Sequence, residues 1–191
     1  MRKARVYLAL LHYPIYNKRM HVVTTSVTNL DLHDISRAAR TYDIDGFFVV
    51  HPSPAQKELL SEVLAFWQEG FGVTYNPDRR EAFRLLSHKN DLEEVKQAIR
   101  DETGMEAITV ATDARIYPRS ISYRDMRNSI TEKEQAVLFL FGTGWGIHKD
   151  IMDSCDYILE PLEAGREYNH LSVRSAVSII LDRLLGEHWF K

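Results

Sequence analysis

Three apolar runs, Val6–Leu11, Phe47–Val50 and Val137–Phe141, carry no polar residue at alternate positions. A strand with one face in water alternates apolar with polar residues, so unbroken runs of this length belong to strands covered on both faces. Between them, apolar residues recur at helical spacing: Leu32, Ile35, Ala39 and Tyr42; Leu60, Val63, Leu64 and Trp67; Leu92, Val95 and Ile99. The last such stripe is Val173, Ala176, Val177, Ile180, Leu181 and Leu184, with Arg174, Ser178 and Asp182 opposite. Ala107–Ala111 and Asp156–Leu159 read as further strands, and Val22–Val27 and Phe83–Leu86 as weaker ones. Gly46 and Gly104 read as helix ends, Ser53-Pro54 and Asn76-Pro77 as helix starts, and Asp91 with Glu94 as a capping box. Strands alternating with helices predict an α/β fold: a mostly parallel sheet with helices on both faces.

A chain of 191 residues without repeats or linker-like stretches is expected to form a single domain spanning 1–191. At 45% apolar and 27% charged residues it is neither disordered nor collagen-like. No apolar run approaches the ~20 residues of a membrane span. The opening stretch, Met1 to Arg19, is too short in its apolar part for a signal peptide and reads as a first strand. The single cysteine, Cys155, forms no internal disulfide and reads as a packing residue, which suits a cytoplasmic protein. Net charge is −3, which argues against a generic nucleic-acid binder. Residues 1–40 nevertheless carry a local balance of +5, and Arg115, Arg119, Arg124 and Arg127 form a second basic run. Two such surfaces could hold a polyanion, or they could be scattered solvated charge.

In parallel sheets, ligands sit beyond the C-terminal strand ends. Three loops occupy that position: Thr112-Asp113-Ala114-Arg115; Gly142-Thr143-Gly144-Trp145-Gly146 after Phe141; and Glu160-Pro161-Leu162 running on to Tyr168-Asn169-His170-Leu171-Ser172. The alternate glycines suit either a bare tight turn or a ligand that must approach the main chain closely. Their spacing matches neither the dinucleotide nor the Walker phosphate loop. Trp145 could cover a flat ligand or plug a small core, and Asp113 could hold a ribose hydroxyl or cap its turn. Asn169 and Ser172 are ordinary helix caps, but one helix needs only one cap, and the run from Tyr168 to Ser172 offers varied hydrogen-bonding groups. No histidine pair shows a metal-ligand spacing, so no metal is expected. No G-x-S-x-G elbow is present.

Taken in order, these three loops, continued by Val173-Arg174-Ser175-Ala176-Val177, resemble the SPOUT (SpoU/TrmD-type) RNA methyltransferases. Within that class the chain is similar to a bacterial branch of S-adenosylmethionine (SAM)-dependent RNA methyltransferases. The likeness covers most of the chain and is strongest from Val137 to Leu185. Upstream, Thr28 to Gly46 resembles the family's N-terminal motif, in which an Arg lies shortly before a Gly.

The resemblance implies a C-terminal half tied in a deep trefoil knot, which general topology rules would not suggest. It implies a homodimer, and transfer of a methyl group from SAM to a nucleotide of tRNA or rRNA. The cofactor would be held by Thr112, Asp113 and Ala114, by Phe141 to Gly146, by Ile158, Leu159, Glu160 and Pro161, and by Tyr168, Asn169, Leu171 and Ser172. Arg40, His170 and Ser172 are the implied catalytic residues. Arg40 stands where ribose-methylating relatives use an Arg; a guanidinium is a poor base, so its role would be to bind and orient RNA. It could also be a solvated helix-face residue. The sequence departs from the ribose-methylating pattern in having His170 where those relatives have Asn, and histidine is a natural proton acceptor near neutral pH. No separate RNA-binding domain is expected, which leaves Arg37, Arg40, Arg115 and Arg119 to contact RNA. The alternative is a non-catalytic, dimeric SAM- or nucleotide-binding module.

Overall fold

The computed structural model describes residues 2–187. In chain order the elements are β1 (Arg5–Leu11), β2 (Ile15–Tyr16), β3 (Val22–Val23), α1 (Asn29–Thr41), β4 (Gly46–Val50), α2 (Pro54–Gln68), α3 (Gly72–Tyr75), α4 (Pro77–Phe83) and β5 (Leu86–Lys89). They continue with α5 (Leu92–Thr103), β6 (Ala107–Ala111), β7 (Ser120–Ile121), α6 (Tyr123–Glu132), β8 (Ala136–Gly142), α7 (Lys149–Ser154), β9 (Tyr157–Leu159) and α8 (Val173–Leu185).

Seven strands form one sheet in the order β5-β4-β1-β8-β6-β9-β7, every pair parallel. The predicted architecture is the observed one, and its cause is visible in β1 and β8. Val6, Leu8 and Leu10, with Val137, Phe139 and Phe141, enter one core beneath α1, α2, α4, α6 and α8. Tyr7, Ala9 and Leu11, with Ala136, Leu138 and Leu140, enter a second core against α5 and α7. Both faces are therefore apolar, and a single truncation such as Phe139→Ala should cost about 3–5 kcal/mol.

Local signals account for most boundaries. Asp91 caps α5 by accepting from the Glu94 N–H at 2.9 Å, and Gly104 ends the helix at φ +71°. Gly46 does not end α1. The helix stops at Thr41, the turn passes through Asp43 at φ +51°, and Gly46 opens β4 instead. Asp tolerates that left-handed geometry because its short polar side chain bonds locally. Phe83 belongs to α4, whose Asn76 cap accepts from the Arg79 N–H, so β5 begins only at Leu86. Of the stretch Val22–Val27, only Val22 and Val23 pair, in a small antiparallel ribbon with β2. The segment beyond leaves the ribbon and runs alongside the end of β1, where the Thr25 N–H bonds the His12 carbonyl at 3.0 Å.

The sheet order sets up the site. From β1 the chain builds outward through β4 and β5, then returns to lay β8 against the other edge of β1 with β6 and β9 beyond. The order reverses at β1, and the crevice lies at the C-terminal ends of the strands there.

Candidate functional site

That crevice holds a cavity of about 930 Å³, at the upper end of the roughly 300–1,000 Å³ typical of small-molecule sites. Loops from four strands line it: the segment after β1, from His12 to Asp31; Thr112 to Arg115 after β6; Phe141 to Gly146 at the end of β8; and Leu159 to Leu162 with Tyr168 to Arg174 after β9. Of the residues expected to hold a cofactor, all except Ile158 line this space. Ile158 lies one position short and is buried in the second core.

The loop after β8 is shaped by its glycines. Gly144 sits at φ +60° and Gly146 at φ +111°. A Cβ on Gly144 would lie 2.9 Å from the Tyr16 carbonyl oxygen, a backbone atom that cannot move aside cheaply. Reciprocal bonds sew the loop to β2: Trp145 N–H to Tyr16 C=O at 2.9 Å, and Tyr16 N–H to Gly146 C=O at 3.0 Å. Trp145 is 58% exposed, so it does not plug a core.

In the loop after β6, Asp113 is nearly buried and grips Arg115 with both carboxylate oxygens, at 3.0 and 2.9 Å, while accepting from the Arg115 N–H at 2.8 Å and the Tyr117 hydroxyl at 3.2 Å. This bonding pushes the Arg115 guanidinium pKa further up, so its charge is permanent. The loop after β9 is tied in by Asn169, whose side-chain amide donates to the Ala114 carbonyl. Glu160 accepts from the Tyr123 N–H at 2.8 Å and fixes the start of α6. Ser172 caps α8, its hydroxyl 2.8 Å from that of Ser175. His170 is exposed at the mouth, its ring edge-on to Tyr168.

The fourth wall, after β1, was not among the expected loops. His12 is buried at 1% exposure. Its Nδ1 lies 2.9 Å from Thr25 Oγ1, which lies 2.6 Å from Thr143 Oγ1, which donates to the Leu11 carbonyl at 3.0 Å. Burial and the neighbouring His51 ring pull the His12 pKa down to about 4. Asp31, at the start of α1, accepts from the Thr28 hydroxyl at 2.6 Å and pairs with Arg174 at 3.3 Å; Arg174 also reaches Asp34 at 3.3 Å. A signal for this wall existed: the rule that directs attention to C-terminal strand ends applies equally to β1, whose apolar run stops at His12. Tyr123 is a further lining residue, carried by α6.

The basic residues separate. Arg115 lines the cavity; Arg37, Arg40 and Arg119 do not. Arg40 stands nine residues along α1 from Asp31, roughly 13 Å at the helical rise, and pairs with Asp43 at 2.9 Å and Glu81 at 3.4 Å. Arg119 donates to the carbonyls of Met152 and Cys155 at the end of α7. The lining guanidinium beside α1 is Arg174. Among the described residues, no cluster of three or more His, Cys, Asp or Glu is placed to hold a metal ion, and no helix is long and apolar enough to cross a membrane.

A sequence profile of the family described as SAM-dependent RNA methyltransferase matches residues 5–186. An uncharacterized protein of Aquifex aeolicus is 42% identical over 188 residues, 98% of this chain and 92% of its own length. A tRNA (guanine-N(1)-)-methyltransferase of Oleidesulfovibrio alaskensis is 41% identical over 182 residues, 95% of this chain but 42% of that relative, so the chain spans less than half of it. Among solved structures, the SpoU methyltransferase AviRb of Streptomyces viridochromogenes, in complex with AdoMet, superposes with a TM-score of 0.58 at 16% identity, covering 98% of this chain and 59% of the other. At that identity the likeness is one of fold.

Proposed function

The chain belongs to the SAM-dependent RNA methyltransferase family, and we propose from that membership that it methylates a nucleotide of tRNA or rRNA inside the cavity at the C-terminal strand ends. The observation that carries the reading is the convergence of the loops after β6, β8 and β9 on one space of about 930 Å³. The cavity suits a cofactor and a nucleotide together: two buried polar atoms of lining residues, His12 Nε2 and the Tyr123 hydroxyl, have no hydrogen-bond partner in the protein. When bound, SAM supplies a methyl group activated for in-line displacement, so the chain's work is chiefly positional.

Thr112 to Ala114, Phe141 to Gly146, Leu159 to Pro161 and Tyr168 to Ser172 would hold the cofactor, while His170 at the mouth is our candidate proton acceptor. Ser172, as cap of α8, orders the same strip. A nucleotide with a free nitrogen lone pair needs no base, whereas a hydroxyl does. Arg174, held by Asp31 and Asp34, is the cation best placed for a phosphate entering the cavity, with Arg115 beside Asp113. We assign Arg37 and Arg40 to RNA backbone contact outside the cavity. The guanidinium of Arg119 serves the fold. A two-fold dimer and a knotted C-terminal half remain part of the proposal.

Calorimetry with S-adenosylhomocysteine tests the pocket: micromolar binding is expected, and no heat at tens of micromolar ligand overturns the reading. Tritium transfer from labelled SAM into RNA from a strain lacking the protein tests catalysis, and nucleoside mass spectrometry then names the product.

A further inference from the structure

His12 lines the cavity, and its surroundings fix its hydrogen-bonding state. The Leu11 carbonyl can only accept, so the Thr143 hydroxyl spends its proton there. Thr143 Oγ1 must then accept from Thr25, whose hydroxyl proton is thereby committed. Thr25 Oγ1 in turn accepts, and the proton it receives is on His12 Nδ1. A neutral imidazole protonated at Nδ1 presents a bare lone pair at Nε2. That atom is buried and has no partner in the protein, a costly arrangement unless a ligand fills it. Because the imidazole is buried beside a second histidine, it stays neutral at physiological pH and the lone pair is retained.

Resting on the methyltransferase reading, we infer that His12 Nε2 is a fixed hydrogen-bond acceptor for the nucleotide to be methylated, requiring an N–H or O–H donor at that point. The loops assigned to the cofactor are those after β6, β8 and β9. His12 belongs to a different wall, with Thr25, Ser26, Thr28 and Asp31. Through Thr25 it is tied to Thr143 of the loop after β8. A site that offers a buried acceptor rejects an analogue lacking the donor, because the acceptor is then left unpaired. His12 is thus a positioning and specificity-determining residue: it transfers no proton.

The test compares wild type, His12→Gln and His12→Phe in tritium transfer from labelled SAM into total RNA of a strain lacking the protein. S-adenosylhomocysteine calorimetry and thermal melting run alongside. Glutamine keeps an acceptor oxygen near the reach of Nε2, whereas phenylalanine keeps the ring and loses the acceptor. We expect His12→Phe to bind S-adenosylhomocysteine within twofold of wild type and to lose at least tenfold in kcat/KM, through the KM for RNA. His12→Gln should recover most of that loss. A folded His12→Phe protein within twofold of wild type in kcat/KM overturns the proposal. So does an equal loss of S-adenosylhomocysteine affinity, which would give the lone pair to the cofactor. If His12→Phe does not fold, the nitrogen-15 resonance of His12 Nε2 in the wild type decides: it should move when RNA joins the S-adenosylhomocysteine complex, and a resonance indifferent to RNA refutes the role. Wild-type protein that transfers no methyl group refutes the functional reading and this role with it. Normal wild-type transfer with an indifferent His12→Phe refutes only the role of His12.

Discussion

The side-chain amide of Asn169 donates to the carbonyl of Ala114 across 2.7 Å, joining the loops after β9 and β6, which are 55 residues apart in sequence. Neither loop belongs to a regular element, so this bond helps hold the third wall of the cavity against the first.

Asn169→Ala removes that tie. A hydrogen bond of this kind contributes about 0.5–1.5 kcal/mol, so S-adenosylhomocysteine should bind about twofold to twelvefold more weakly by calorimetry. Thermal stability should change little, because the α8 cap at Ser172 is untouched.

Gly144→Ala combines two penalties, a Cβ at φ +60° and a 2.9 Å approach to the Tyr16 carbonyl. Backbone strain of this type costs about 1–3 kcal/mol. Urea denaturation should show a loss of that order, and cofactor binding should fall below detection because loop and β2 are pushed apart. Unchanged binding would show that the loop tolerates another path.

Arg40→Ala should leave S-adenosylhomocysteine affinity and kcat unchanged and raise the KM for RNA a few-fold, with a shallower salt dependence. Its exposed pairs with Asp43 and Glu81 are worth at most about 1 kcal/mol to the fold. Arg174→Ala should instead lower kcat by tenfold or more. A collapse of kcat in Arg40→Ala would return that residue to the reacting centre.

Acid should destabilise the fold through its buried histidines. Unfolded His12 takes up a proton below about 6.5, but the folded protein resists until about pH 4. His51 is shifted in the same direction by burial. The contribution is therefore complete above pH 6.5 and lost as pH falls toward 4, up to about 3 kcal/mol for His12. Urea midpoints at pH 7.5 and pH 5 measure it, and His12→Phe should narrow the difference between them.

Light scattering at micromolar protein should return twice the mass of one chain, from a two-fold interface of at least ~1,000 Å². Ile179 on α8 and Leu30 on α1 are exposed apolar residues at 37% and 62%, and Ile179→Asp should shift the protein toward monomer. The stretch His188-Trp189-Phe190 lies outside the described residues.

The sheet and the three lining loops were legible because their signals are local. Apolar runs such as Val137–Phe141 declare strands covered on both faces, and the glycines after Phe141 declare a turn that side chains would obstruct. The resemblance that runs through Tyr168 to Ser172 added a function to that geometry. The antiparallel β2–β3 ribbon, the small α3 and the Phe83 boundary were not legible. Their pairing partners or caps, rather than their own composition, decide them.

Residue order alone settled the central strands, the helices α1, α2, α5 and α8 and the three loops that follow strand ends, because propensity, periodicity and capping act within a few residues. It could not say that His12 would face Thr25 and Thr143, that Asp31 would hold Arg174, or that Arg40 would stand a helix length from the cavity. Those relationships join residues up to 143 positions apart. They exist only once the sheet order has laid β8 beside β1 and α8 against α1, since hydrogen bonds and ion pairs act over a few ångströms of space and not along the chain.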